Sequence, residues 1–170
     1  MAIGSHHRRR ELQGTALFSR CGAYRYRLSR RWDSSRTMLA IVMLNPSTAD
    51  AERDDPTIRR CIGFAARAGH GGVEILNLFA FRATAPADLR ATSDPIGPDN
   101  DRHLEALFAR HRQVLAAWGA HGIFGARADT VLRMTARRNV MLTCLGRTLT
   151  GQPRHPLYVR ADTRLVPFAG

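Results

Sequence analysis

The stretch MLAIVML (38–44), followed by NPSTADAERDD (45–55) and PTIRRCIGFAARA (56–68), decides the fold. Seven consecutive apolar residues without alternation describe a strand buried on both faces. The polar run after it reads as a loop. Asp55 then stands where an N-cap belongs and Pro56 at the first helical position. Ile58, Cys61, Ile62 and Ala65 share one face, and Gly69 follows the last turn. A buried strand that leaves through a loop into an amphipathic helix opens a βαβ unit, which the strand expected at Val73–Leu78 completes.

Working outward, the rhythm repeats. A connection through Pro86, Pro95 and Pro98 leads to a helix beginning near Asp99, with Leu104, Leu107 and Phe108 on one side, and then to the strand-like QVLAAWG (113–119). A third helix spans Ala126–Arg137, with Val131 and Leu132 inward, and leads into VMLTCLG (140–146). Upstream, a short run from Thr15 to Ser19 precedes Tyr24, Tyr26 and Leu28, which alternate with Arg25 and Arg27. That period of two suits an antiparallel hairpin turning near Cys21 and Gly22, with one wet face. The expected architecture is α/β: a three-layer single domain with a central four-stranded parallel sheet and an N-terminal β-hairpin. Residues 1–12 read as a mobile basic tail and 13–170 as the domain.

Composition narrows the function. The chain has 170 residues, 44% of them apolar, 24% charged and 7% aromatic, which suits one folded core. Its longest apolar run falls far short of the roughly 20 residues that span a bilayer, and no apolar leader begins it. No membrane partner and a cytoplasmic location are therefore expected. Cys21, Cys61 and Cys144 lie far apart, which argues for reduced thiols, no metal and no disulfide framework. The charge is +12, and all 26 cationic residues are arginine. A nucleotide bias in the genome accounts for arginine in place of lysine but not for the excess of charge, which points to a polyanion. Arg25, Arg27 and Arg31 in the arginine-rich first 36 residues are the candidate phosphate contacts.

In a parallel α/β sheet, ligands bind beyond the C-terminal ends of the strands, and the loops at those positions hold the unusual residues. The first carries Asn45, Pro46, Ser47 and Asp50. The second follows Asn77 with Phe79, Phe81 and Arg82, and the third holds Trp118, Gly119 and His121. The last holds Arg154, His155, Leu157 and Tyr158. Each has a structural explanation by itself: a turn, a core aromatic, a solvated loop. Packing alone does not require polar groups at all four strand ends. Phosphate-loop, dinucleotide, nucleophile-elbow and zinc-protease signatures are absent. His103-Leu104-Glu105 spells half of a zinc deaminase motif whose cysteine half is missing.

The runs LNPSTAD (44–50), DDPTIRRC (54–61), NLFAFRAT (77–84), the pair Trp118-Gly119 and RHPLY (154–158) resemble a bacterial and phage family, domain of unknown function 1643. More remotely, the same order of parts resembles the uracil-DNA glycosylase superfamily, a single α/β domain with four central parallel strands and its site at their ends. The resemblance implies that Asn45, in Met43-Leu44-Asn45-Pro46, positions an attacking water. It implies that Asn77 reads a base edge, and that His155, in His155-Pro156-Leu157, stabilises charge on the departing base while the residues after it wedge into the duplex.

Such a reaction passes through an oxocarbenium-like state and needs a placed water, an acceptor for charge on the base, and an extruded nucleotide. Asparagine 45 cannot take up a proton as the aspartate of the most active branch does, so Asp50 is the candidate carboxylate. Tyr158, Phe79 or Phe81 is available to stack on the base. Ser47, Arg82, Arg154 and Leu157 complete the expected DNA contacts. The expectation is a monomeric, monofunctional DNA glycosylase without metal or organic cofactor. A non-catalytic binder of modified or single-stranded nucleic acid is the alternative, as is a nucleotide- or RNA-directed member of the same fold. Asp55 and the pair Arg59-Arg60 read as helix cap and helix surface.

Overall fold

The computed structural model describes residues 12–169, so the tail expected at 1–12 lies outside the described residues except for Leu12. The strands are β1 (Gln13–Phe18), β2 (Arg25–Arg31), β3 (Met38–Met43), β4 (Gly72–Asn77), β5 (Gln113–Ala116), β6 (Met141–Cys144) and β7 (Val166–Pro167). They form one sheet in the order β1-β2-β4-β3-β5-β6-β7. The inner neighbours β4, β3, β5 and β6 are parallel, whereas β1 and β2 at one side and β7 at the other pair antiparallel.

The four-stranded sheet expected from the sequence is thus corrected to a seven-stranded mixed sheet. The hairpin is no appendage, because Leu28–Arg31 of β2 pair with Ile75–Gly72 of β4. At the opposite side β7 covers β6 with two residues, too short and too late in the chain to register as a strand from periodicity. Both additions pair strand edges that would otherwise expose a row of backbone donors and acceptors.

Four helices pack on this sheet: α1 (Pro56–Arg67), α2 (Pro86–Ala91), α3 (Asn100–Arg110) and α4 (Arg127–Arg137). The α1 start is as expected, since Asp55 Oδ1 accepts from the Ile58 N–H at 2.9 Å. Gly69, at φ +89°, lets the chain turn away after the helix. The doubly buried β3 explains the layers. Leu39, Ile41 and Met43 meet Ile58, Cys61 and Phe64 of α1. The alternate residues Ala40, Val42 and Leu44 meet Leu104 and Leu107 of α3 and Val131 of α4.

The chain moves one way across the sheet from β3 to β4 and the other way from β4 through β5 to β6. Right-handed crossovers then put α1 on one face and α3 and α4 on the other. The reversal falls between β3 and β5, where the loops after these two strands diverge and leave a crevice. Besides β7, the sequence reading misses α2, whose sole buried side chain is Leu89, and the 3-10 segments Ala120–Ala126 and Pro156–Tyr158. β5 also ends earlier than expected, at Ala116, and Gly119 at φ +75° turns the chain three residues on.

Candidate functional site

A cleft of about 780 Å³ opens at the C-terminal ends of the parallel strands, and all four loops line it. The loop after β3 supplies Asn45, Ser47 and Asp55, and β4 ends on Asn77 in its wall. The loop after β5 gives Trp118 and His121, and the segment after β6 gives Arg154, His155, Leu157 and Tyr158. Arg25 enters from β2. Residues far apart in the sequence thus meet where the direction of strand succession reverses.

Each polar side chain is held differently. Asn45 Nδ2 donates to the carbonyls of Pro46 (2.9 Å) and Ala83 (2.7 Å). Two carbonyls can only be met by the amide nitrogen, so Oδ1 is left as an acceptor for a ligand or water. Asn77 is 2% exposed, and its Nδ2 is buried with no hydrogen-bond partner among the described residues. Its main-chain carbonyl is already engaged by Asn100 Nδ2 at 3.0 Å. An orphaned buried amide costs on the order of 1–3 kcal/mol, and such cost concentrates where a ligand supplies the partner.

His155 Nδ1 accepts from the Leu157 N–H at 3.2 Å. That bond leaves Nε2 as the protonated nitrogen of the neutral ring. Burial holds the imidazole below its ordinary pKa, against an opposing pull from the charge of Asp55. A neutral ring with Nε2–H available is a hydrogen-bond donor toward developing negative charge. The loop after β5 approaches His155 closely: a Cβ added at Gly119 would lie 3.3 Å from His155 Cβ. Trp118 is 2% exposed and donates Nε1–H to Gln152 Oε1 at 2.8 Å, so it forms fixed wall. On the rim Leu149, Leu157 and Tyr158 are exposed apolar side chains, an uncommon grouping beside a polar cleft floor.

Several expected residues lie elsewhere. Asp50 does not line the cleft; its Oδ1 accepts from the N–H groups of Glu52 (2.9 Å) and Arg53 (2.8 Å), closing a turn, and these bonds hold its pKa below the ordinary value. Phe79 is core, 5.4 Å between ring centroids from Phe124. Phe81 packs edge-on against Tyr24. Arg82 lies over the Phe18 ring and donates to the Gly22 carbonyl, outside the cleft.

The hairpin arginines do not form a single exposed arm. Arg25 is 2% exposed and donates Nη1–H to the Ala49 carbonyl at 2.7 Å. Burial lowers its pKa to about 10. Arg27 leans 3.7 Å from Glu74. Arg31 pairs with Gly72, at the start of β4 and so at the end of the sheet opposite the cleft. Alternation places these residues on faces but does not reveal that a loop from elsewhere covers one of them.

Three supports were assigned to cap or surface, or not singled out. Arg30, 1% exposed, reaches Asp54 Oδ1 (2.8 Å) and the carbonyls of Asp50 (2.5 Å) and Arg53 (3.2 Å), bracing the first loop. Arg60 of α1 donates Nε–H to the Pro156 carbonyl at 3.2 Å and Nη2–H to the Val159 carbonyl, latching the segment that carries His155. Asp55 caps α1 and also lines the cleft. The doubled Asp54-Asp55 and Arg59-Arg60 were the available signal: one member of each pair serves the helix or turn, the other the site.

Among the described residues no three His, Cys, Asp or Glu side chains are grouped to hold a metal ion. No described helix is long and apolar enough to cross a membrane. No curated protein and no solved structure matches the chain significantly. The motif runs around the cleft, from Arg25 through Leu157, coincide with the match to one family model over residues 25–157, and the chain belongs to that family, described as protein of unknown function (DUF1643).

Proposed function

We propose that the protein is a DNA glycosylase-like hydrolase that receives an extruded, damaged or modified base in the cleft and hydrolyses its N-glycosidic bond, acting as a monomer in the cytoplasm. Asn77 carries the reading. A nearly enclosed amide with an unmatched donor, in the wall of a cleft whose opposite loop holds neutral His155, suits the edge of a base. Asn45 Oδ1 is free to orient a water. Tyr158 and Leu157 at the rim suit stacking on, and filling behind, an extruded nucleotide. The inner block of four parallel strands agrees with the resemblance to the uracil-DNA glycosylase superfamily. The net charge of +12 favours phosphate contact.

The test is base release from DNAs carrying uracil, mismatches, oxidised bases and hypermodified phage bases, read as alkali-labile sites. Wild-type protein should release one class of base, and His155→Ala and Asn45→Ala should each lower turnover by about 10²-fold or more while DNA binding persists. A second reading, a non-catalytic binder, is favoured by Asn45 being tied to two carbonyls and Asp50 being turned out of the cleft. It predicts salt-dependent binding with no release from any DNA. Competition by free nucleotides in preference to oligonucleotides would instead favour a nucleotide- or RNA-directed role.

A further inference from the structure

Asp55 presents a carboxylate to the cleft that its role as helix cap does not fully occupy. Oδ1 takes the Ile58 N–H, and no described donor reaches Oδ2. Asp55 lines the cleft together with Asn45, Asn77 and His155, whereas Asp50 does not. Its charge reaches across the cleft, opposing the effect of burial on both Arg25 and His155. A helix cap alone would mean little. The independent sign of a ligand is the Asn77 side chain in the wall of the same cleft, 2% exposed, whose Nδ2 no described residue meets.

We propose that Asp55 is the general base of the hydrolysis, deepening the base-releasing reading on which it rests. The water oxygen bonds to the anomeric carbon of the sugar while the carbon–nitrogen bond breaks and its electron pair leaves with the base. The water's proton passes to Asp55 Oδ2. Asn45 Oδ1 accepts a hydrogen bond from the O–H that the water keeps, and His155 Nε2–H donates to the charged base. The free base then takes up one proton through solvent as Asp55 loses one, so the enzyme returns unchanged. An asparagine at the usual water-positioning place is in this way compatible with catalysis, because orientation and proton acceptance fall to different residues.

Asp55→Asn isolates the charge, since asparagine is an equally good N-cap and α1 keeps its start. The experiment is single-turnover base release by wild type and Asp55→Asn across pH, on the DNA that wild type cleaves, with DNA affinity and thermal midpoint measured alongside. The expected result is a loss of about 10²–10⁴-fold in rate. Affinity and midpoint should stay near wild type. A rate within threefold of wild type at every pH overturns the assignment and leaves the glycosylase reading standing. Absence of release by wild type from every DNA overturns both.

Discussion

Asn77 and His155 show that the residues most suited to chemistry here are poorly accommodated by the fold alone. Asn77 Nδ2 is buried without a partner, so Asn77→Ala, which removes the unmet donor at the cost of a small cavity, should leave stability within about 1 kcal/mol of wild type. The same change should abolish base release, and a denaturant melt beside a release assay reads both. His155 carries a pH dependence. Its folded pKa lies below the ordinary value because of burial. Its contribution to stability is complete above about pH 6.5, the value of the unfolded chain, and is lost as pH falls through the lower folded value. Protonation at Nδ1 also removes the acceptor for the Leu157 N–H. Melting midpoints between pH 7.5 and 5 should fall less steeply in His155→Gln than in wild type.

At the scale of elements, α1 organises the site from its N-terminal half. Its N-terminus brings Asp55 to the cleft, and on its flank Arg60 holds the carbonyls of Pro156 and Val159. Arg60→Ala should therefore free the 155–159 segment and remove the guanidinium from the Phe64 ring, 5.1 Å from its centroid, while sparing the core contacts of Ile58 and Cys61. Faster amide exchange at Leu157 and Tyr158, with a release rate lower by about tenfold from the misplaced histidine, is the expected pattern. Unchanged exchange there would show that other contacts fix the segment. Phe64→Ala, by contrast, removes buried ring volume from the α1 layer and should cost about 3–5 kcal/mol in a global melt. The helix was legible in the sequence almost to the residue, because its cap, first proline, apolar face and following glycine are all local. Arg60's reach was not, because its acceptors lie nearly a hundred residues later.

Across the whole molecule, the two ends of the sheet differ. The cleft occupies the C-terminal ends of the parallel strands, and an ion cluster lies away from it on β4. Glu74 is 6% exposed there and accepts from Arg110 Nη2 (2.6 Å), with His111 Nε2 at 2.8 Å. Burial alone would raise its pKa, but the bond from His111 and the charge of Arg110 outweigh it and hold the carboxyl below its ordinary value. The stability it contributes is complete above about pH 4.3 and is lost as pH falls through the lower folded value. Glu74→Gln should weaken the fold at pH 7 and show a shallower loss between pH 5 and 3. An equal slope in both proteins would assign acid unfolding to other groups.

Local and periodic information sufficed for the parallel strands, three of the helices and the prediction that polar loops converge at strand ends, because apolar period and cap chemistry act over a few residues. It also sufficed for Asn45, Asn77 and His155 as lining residues, since each follows directly on a strand or loop whose position the fold class implies. Tertiary structure alone decided which carboxylate faces the cleft, since Asp50 and Asp55 share a loop and differ only in where their turns point. It also decided that Arg25 and Arg30 brace that loop from inside, and that the parallel block carries antiparallel strands at both edges. These outcomes depend on contacts between segments tens of residues apart. Charge and periodicity place a residue on a face, but what covers that face is set by the rest of the chain.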